Sequence, residues 1–200
     1  MPKSRTTPSG ERRLTLTEQA RRAQLIDVTI GLVAEHGYAG TSLARIAEGA
    51  EITKAAVLYH FPSKDAVLRE AHKYVLDSLV GTVTAAVEAA VPADRPAAYI
   101  RSMIGHLREH PRHTRVIIEA MTDAGDLANT ADRWRPLADL LTAAREGRGA
   151  GPDVRTLAII IGGGIDSIVM ERLNDPGYDT SAAADVLVTL VERSLTESRA

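Results

Sequence analysis

The chain has 200 residues, of which 44% are hydrophobic and 25% are charged. This balance is typical of a globular protein with one domain, or with a small domain joined to a larger one. The absence of cysteine excludes disulfides, thiolate metal sites and a cysteine nucleophile. No apolar run reaches the roughly 18 residues of a membrane span, and the beginning of the chain lacks the apolar segment of a signal peptide. We therefore expect a cytoplasmic protein without a membrane partner.

The charge is distributed unevenly, although the net charge is only −2. Residues 1–74 contain 11 lysines and arginines against 8 acidic residues, whereas residues 75–200 contain 13 against 18. Such asymmetry favours nucleic-acid binding at the basic end, but an excess of three positive charges is equally typical of an ordinary protein surface. Aromatic residues make up only 4% of the chain, which argues against a base-stacking platform for single strands.

The amino-terminal segment predicts a basic arm followed by a long helix. Residues 1–13 are rich in Pro, Ser, Thr, Lys and Arg, so we expect them to be a disordered arm. Thr15 and Glu18 have the spacing of a capping box. Apolar residues at helical spacing then predict a first helix over residues 17–36, and Gly37 is suited to end it.

Two short helices are predicted to follow. Thr41 or Ser42 can cap the first of them, and Thr53 can cap the second. About three residues separate the two helices, which is the pattern of a helix-turn-helix unit. We therefore predict a helix-turn-helix domain over residues 14–62.

The rest of the chain also predicts helices, over residues 63–91, 97–110, from 111 onward, 134–145, 154–173 and 181–195. There is no hairpin signal. The predicted fold class is all-α: an amino-terminal three-helix helix-turn-helix domain is joined to a larger helical domain, residues 63–200, for ligand binding and dimerisation.

Several short motifs within residues 25–68 occur together. Residues 34–42 read AEHGYAGTS, Ile46-Ala47 follows on the second helix, Ile52-Thr53-Lys54 opens the third, and residues 59–64 read YHFPSK. In this combination the segment resembles the tetracycline-repressor (TetR) family of bacterial transcription regulators. The resemblance covers about a quarter of the chain; the remainder matches only in length, helix content and helix order. It implies a homodimeric DNA-binding regulator, usually a repressor, that binds a palindromic double-stranded operator and is released by a small-molecule effector.

The resemblance and the helix-turn-helix geometry together indicate which residues contact DNA. The first residues of a recognition helix meet base edges, small residues allow close approach, and hydroxyl and basic groups contact phosphate. A purely structural role is the alternative for several of them: a cap for Thr53, a solvated charge for Lys54, a surface ion-pair partner for Arg45, and a partly buried ring for Tyr59. The candidate DNA-binding residues are Thr41, Ser42, Arg45, Thr53, Lys54, Ala55, Ala56, Tyr59 and His60.

The sequence departs from the pattern of the resembled family at three positions. Glu51 occupies a turn position where that family usually has glycine. If this residue has a positive φ, glutamate costs about 1 kcal/mol there and adds a negative charge near the DNA. Ala55 stands where glycine is common and Leu58 where tyrosine is common, so one possible phosphate contact is missing.

The last two helices are apolar on more than one side, which indicates that each is packed against other helices in more than one direction. In the resembled family these helices form a four-helix dimer interface, whereas the alternative is that they only close the core of a monomer. The predicted interface residues are Ile161, Gly164, Ile165, Ile168, Leu187, Leu190 and Val191.

The middle helices are expected to enclose an effector pocket. The larger or polarisable side chains available there are Tyr99, Met103, His106, Met121 and Trp134, although such residues are more often plain core.

We predict neither a metal site nor a cofactor. His106 and His110 are one turn apart, but Pro111 is expected to break the helix before His113, and no carboxylate completes a set. The sequence has no phosphate-binding loop, nicotinamide fingerprint or nucleophile elbow, so we do not expect an enzyme. The remaining alternative is a helical ligand- or partner-binding protein whose helix-turn-helix has lost DNA binding.

Overall fold

The computed structural model describes residues 14–123, 130–145 and 152–196. Within these residues the chain forms nine α-helices, one short 3-10 helix and no strand, which confirms the all-α class. The α-helices are α1 (Leu16–Gly40), α2 (Leu43–Gly49), α3 (Lys54–His60), α4 (Lys64–Ala89), α5 (Arg95–Glu109), α6 (Pro111–Asp123), α7 (Thr130–Arg145), α8 (Val154–Asn174) and α9 (Thr180–Thr196), and the 3-10 helix is Pro92–Asp94. The predicted arm, residues 1–13, lies outside the described residues.

Side-chain caps set the beginnings of the amino-terminal helices, as the sequence predicts. Thr15 and Glu18 form a reciprocal capping box: the Glu18 amide donates to Thr15 Oγ1 at 3.2 Å, and the Thr15 amide donates to Glu18 Oε2 at 2.8 Å. The hydroxyls of Ser42, Thr53 and Ser63 accept hydrogen bonds from amides three residues ahead, at the start of α2, α3 and α4. These bonds satisfy amides that have no partner within the helix.

Helix α1 is kinked at Gly37 and resumes after the kink. It therefore ends at Gly40, four residues beyond the predicted end. Gly37 has φ 69°, a conformation that side-chain-bearing residues rarely adopt. The kink turns the Tyr38 amide toward α6, where it donates to Glu119 Oε2 at 2.9 Å. A Cβ atom on Gly37 would lie 2.8 Å from that same oxygen. The backbone angle therefore favours glycine here, and a side chain at this position would also displace the Glu119 carboxylate from its bond to Tyr38.

The amino-terminal core is closed by Arg22 of α1. Its guanidinium lies 4.1 Å from the centre of the Phe61 ring, donates to the His60 carbonyl at 2.5 Å and approaches the Glu70 carboxylate at 3.7 Å. It therefore joins α1, the end of α3 and the start of α4. The buried residues of this core are Leu25, Ile46, Ala47, Ala50, Val57, Phe61 and Val67.

A second core connects the helix-turn-helix unit to the rest of the chain. It is formed by α1, α4 and α6, and its buried residues are Ile30, Val33, Leu68, Ala71, Val75 and Val116. Because α4 contributes to both this core and the amino-terminal one, its first turns are packed as part of the helix-turn-helix unit.

The third core is formed by α5, α7, α8 and α9, and it contains several residues of the predicted dimer interface. Ile161, Ile165 and Val191 are at most 5% exposed and pack inside this core of the single chain. Ile168 and Leu187 are half-buried against it, and a Cβ atom on Gly164 would meet Leu187 at 3.4 Å. Because α8 is apolar on nearly every side, periodicity alone could not tell which side faces the chain's own core.

Only Leu190 of the seven predicted interface residues is clearly exposed, at 57%. It belongs to a set of exposed apolar side chains on α8 and α9, which pack on each other. We call this set the outer face: Ile159, Ile160, Met170, Val186 and Leu190. Gly163 of α8 is also exposed, and a Cβ atom added to it would meet no atom within 4 Å.

The turn between α2 and α3 contains the strain anticipated at Glu51. Glu51 has φ 55° and is the one residue other than glycine with positive φ among the described residues. The Ile52 amide donates to the Ala47 carbonyl at 2.9 Å across this turn, so the left-handed residue lets the backbone close the end of α2.

Replacing Glu51 with glycine should raise the free energy of unfolding by about 1 kcal/mol, because glycine adopts this backbone conformation without a steric cost. This corresponds to an increase of about 2–4 °C in the thermal midpoint. Glu51→Gln is the matched control, since it removes the charge and keeps the side chain. If both variants gained stability equally, repulsion by the charge rather than backbone strain would be the cause.

Candidate DNA-binding surface and ligand groove

Helix α3 presents one side to solvent because Val57 anchors its other side in the amino-terminal core. Val57 is fully buried, whereas Lys54 and Ala55 are exposed and Ala56 is half-buried. Lys54 forms no hydrogen bond or ion pair with another described residue. The outward side of α3 is therefore a small-residue surface with an exposed positive charge at its beginning.

Tyr59, Thr53 and His60 have internal contacts as well as exposure. The Tyr59 side chain is 69% exposed, and its hydroxyl donates to Glu18 Oε1 at 3.1 Å. The exposed Thr53 accepts the cap bond from Ala56 at 3.1 Å. The His60 ring is half-buried and meets the Tyr59 ring edge-on, with 5.0 Å between centroids. A DNA contact by the Tyr59 hydroxyl would thus have to compete with Glu18.

The predicted residues around the start of α2 divide into exposed and buried ones. Thr41 is only 1% exposed, and its hydroxyl donates to the Gly37 carbonyl at 2.8 Å. Thr41 therefore closes the kink of α1, and this burial removes it from the candidate DNA surface. Ser42 is exposed and caps α2, and the exposed Arg45 donates to the Gly40 carbonyl at 2.8 Å.

Two basic residues of the helix-turn-helix unit hold the fold together. Lys64, in the YHFPSK segment, donates to the Tyr38 carbonyl at 2.6 Å. Arg22 is bound to Phe61, His60 and Glu70 as described above, and sequence reasoning missed this role. The cation–aromatic contact joins residues 39 positions apart, so no local pattern could have revealed it.

A groove of about 250 Å³ lies between α5, α6, α8 and the connection from α8 to α9. Its apolar lining is Ile104, Leu107, Pro111, Val169, Leu173 and Pro176. Its polar lining is Arg108, Thr114, Arg115, Arg172 and Thr180. Because these residues come from four separate elements, no pattern in the sequence indicates that they share one surface.

None of the five residues predicted for an effector pocket lines this groove. Tyr99, Met103 and Trp134 are half-buried against the core of α5, α7, α8 and α9. His106 is buried, whereas Met121 is 49% exposed. Their role in binding an effector stays a prediction.

Three histidines are brought together where α5 meets α6. The helix does break between His110 and Pro111, but the break leaves His113 beside the other two rings. Ring centroids are 4.4 Å apart for His106 and His110, and 5.0 Å apart for His110 and His113. The described residues contain no group of three ligands that could hold a metal ion.

Burial, followed by the neighbouring imidazoles, lowers the pKa of His106 below its ordinary value of 6.5. Burial, followed by His110 and Arg112, lowers the pKa of His113 in the same direction. His106 Nδ1 is 3.0 Å from the Thr82 hydroxyl of α4, so this imidazole links α4 to α5.

Comparisons with known proteins agree with this architecture. Residues 25–71 match the family described as bacterial regulatory proteins, tetR family. The HTH-type transcriptional regulator BetI of Burkholderia mallei is 37% identical over 86 residues, which are 43% of this chain and 43% of BetI. RutR of Escherichia coli is 28% identical over 102 residues, or 51% of this chain and 48% of RutR. The chain thus matches only about half the length of these curated relatives.

A solved structure shares the fold over nearly the whole chain. A TetR-like transcriptional regulator from Rhodococcus superposes with a TM-score of 0.75, covering 92% of this chain and 98% of the other at 24% identity. At that identity the likeness concerns the fold. No helix in the described part of the chain is long and apolar enough to cross a bilayer.

The imidazole cluster should make stability depend on pH. Because the folded state lowers the pKa of His106 and His113, the unfolded chain binds more protons near pH 6. The cluster's full contribution to the free energy of unfolding should therefore be present above about pH 6.5. That contribution should decrease as the pH falls below this value. We expect the thermal midpoint to fall between about pH 7.5 and 5.5, and to fall less in His106→Asn, which does not titrate. His36→Asn, outside the cluster, is the control, and an identical pH profile in His106→Asn and the parent would contradict the prediction.

Proposed function

We propose that this chain, a member of the tetR family of bacterial regulatory proteins by its amino-terminal domain, is a transcriptional regulator that binds a palindromic operator as a homodimer, most simply as a repressor. The observation that carries the proposal is the outward side of α3. Lys54, Ala55 and Tyr59 are exposed there, on a helix held from behind by Val57. A helix of this kind fits the major groove, where small residues allow the backbone to approach the bases.

The proposed DNA surface consists of Ser42, Arg45, Thr53, Lys54, Ala55, Ala56, Tyr59 and His60. Lys54 and Arg45 supply its positive charge, and Ser42 and Thr53 supply hydroxyls beside it. A surface with few phosphate-binding cations gives modest non-specific affinity. We infer that base contacts, rather than phosphate contacts, carry most of the preference for the operator.

We propose that the outer face forms the homodimer interface. Five exposed large apolar side chains lie on two helices that pack on each other, and grouped exposed apolar residues are typical of interaction surfaces. Gly163 leaves room for close approach of a partner helix. A two-fold dimer explains why the operator would be palindromic.

We propose that residues 63–200 form an effector-binding and dimerisation domain. Helix α4 is the element that would carry a change to the helix-turn-helix unit, because it contributes to the amino-terminal core through Val67 and to the α1–α4–α6 core through Val75. An effector would act by binding one conformation of the dimer more tightly than the other.

Selection from a random duplex library with purified, ligand-free protein tests the function directly. We expect one palindrome to be recovered. Recovery of no sequence by folded, dimeric protein would contradict the proposal and favour a helical protein without a DNA role.

On the selected palindrome, Lys54→Ala should weaken binding to specific and non-specific duplexes alike. It should reduce the slope of log affinity against log salt by about 0.9 for each phosphate that the variant no longer neutralises. Lys73→Ala is the matched control, because Lys73 is an exposed lysine on α4 that pairs with Asp77. Equal salt slopes for Lys54→Ala and the parent would show that Lys54 does not bind a phosphate.

Ile160→Glu and Leu190→Glu should each weaken the dimer at least about tenfold, since each would bury an unpaired carboxylate in an apolar interface. Light scattering at micromolar protein would then report monomers. Val80→Glu is the control, because Val80 is 60% exposed on α4, away from the outer face. A dimer unchanged in both outer-face variants would exclude this face.

A further inference from the structure

We propose that the groove between α5, α6 and α8 binds a small molecule that has one carboxylate on an apolar body. The binding itself can be tested without DNA, whereas its regulatory consequence rests on the proposed function. Three observations carry the inference: the charge of the groove, its volume and apolar lining, and the position of α6.

The groove has a positive charge that the described residues neutralise only in part. Three separate helices contribute a guanidinium: Arg108 from α5, Arg115 from α6 and Arg172 from α8. Among the ion pairs of the described residues, these three receive one carboxylate, that of Glu109 on Arg108 at 2.9 Å. No aspartate or glutamate is among the described residues that line the groove. An anion would therefore be attracted here, and a cation repelled.

Two of these guanidiniums have spare donor capacity. Arg115 reaches the Ala34 carbonyl and Arg172 reaches the Tyr178 carbonyl, each at the long distance of 3.4 Å. A guanidinium has five N–H donors in a planar fork, which matches the two oxygens of a carboxylate. Either arginine can therefore form a stronger bond with a ligand than the one it has within the chain.

The wall of the groove also contains a buried polar atom without a partner. Thr180 lines the groove at the start of α9 and is only 2% exposed. Its hydroxyl has no hydrogen-bond partner among the described residues. Burying such a group unpaired is unfavourable, but because the oxygen is fully buried, a ligand in the groove would pair with it only after the start of α9 had moved to expose it.

The size and the remaining lining restrict the ligand. A volume of about 250 Å³ lies just below the usual range of small-molecule pockets. Six apolar residues line the space beside the arginines. The ligand class that satisfies both features is a medium-chain or compact monocarboxylate, whose apolar part contacts residues such as Leu107 and Val169.

Helix α6 connects the groove to the helix-turn-helix unit. Arg115 faces the groove and bonds to Ala34 near the end of α1, and Glu119, one turn further, bonds to Tyr38. Arg112 of the same helix lies 3.6 Å from Asp27 of α1. A carboxylate that draws Arg115 away from Ala34 would act directly on the helix that precedes α2.

Isothermal titration calorimetry with sodium octanoate, octanol and octyltrimethylammonium tests the site on the full chain. We expect octanoate to bind at least tenfold more tightly than octanol, and the cation not to bind. Arg172→Gln and Arg115→Gln should each weaken octanoate binding at least tenfold. Arg101→Gln is the matched control, because Arg101 lies on α5 outside the groove and pairs with Asp185. Equal binding of octanoate and octanol, or unchanged binding in both groove variants, would overturn the proposal.

The effect of the ligand on DNA binding is tested by a separate measurement, the affinity for the operator. Saturating octanoate should change the affinity for the selected operator at least fivefold, and much less in Arg172→Gln. If octanoate bound in calorimetry without changing the affinity for the operator, the proposed coupling to DNA binding would be wrong. The proposal that the groove binds a carboxylate would still stand. If the protein bound no DNA, calorimetry would still decide whether the groove takes a carboxylate, so the two proposals fail separately.

Discussion

The contact between α6 and the kinked end of α1 is the constraint on which the arrangement of the chain depends. Glu119 can bond to the Tyr38 amide only because Gly37 has no side chain and adopts a positive φ. The kink fixes where α1 ends, and Thr41 closes it from the other side. Since α2 begins two residues later, its direction follows from this one glycine. The α1–α4–α6 core then holds the same helices together over a larger area.

The basic residues of the amino-terminal domain serve two purposes, and the structure separates them. Arg22 and Lys64 are tied to backbone carbonyls and neighbouring side chains, so they stabilise the packing of α1, α3 and α4. Arg45 is exposed but also bonded to Gly40. Lys54 has no such contact with a described residue. The charge available to a phosphate backbone is therefore smaller than the count of lysines and arginines suggests.

The features that the sequence predicted correctly depend on neighbouring residues. Caps such as Thr15 with Glu18, the two short helices and the strained turn at Glu51 all follow from spacing over a few positions. The features it missed depend on distant residues. Ile161 and Ile165 pack inward because α9 covers that side of α8, and an all-apolar helix does not reveal this choice. The groove collects arginines from three helices, and the imidazole cluster forms across the break at Pro111. The burial of Thr41, which was predicted to contact DNA, did not follow from its position, because a hydroxyl before a helix can either cap that helix or bond to the end of the preceding one.

The hydrogen bond from Tyr59 to Glu18 has a consequence for local unfolding. Glu18 belongs to the capping box that begins α1, so the outermost turn of that helix and the exposed ring of α3 share one carboxylate. Helix ends open at a small free-energy cost. Each fraying of the first turn would release the Tyr59 hydroxyl, and each closure would recapture it. Opening of that terminal turn therefore leaves the Tyr59 hydroxyl free for another partner, and amide hydrogen exchange at residues 15–19 would report how often the turn opens.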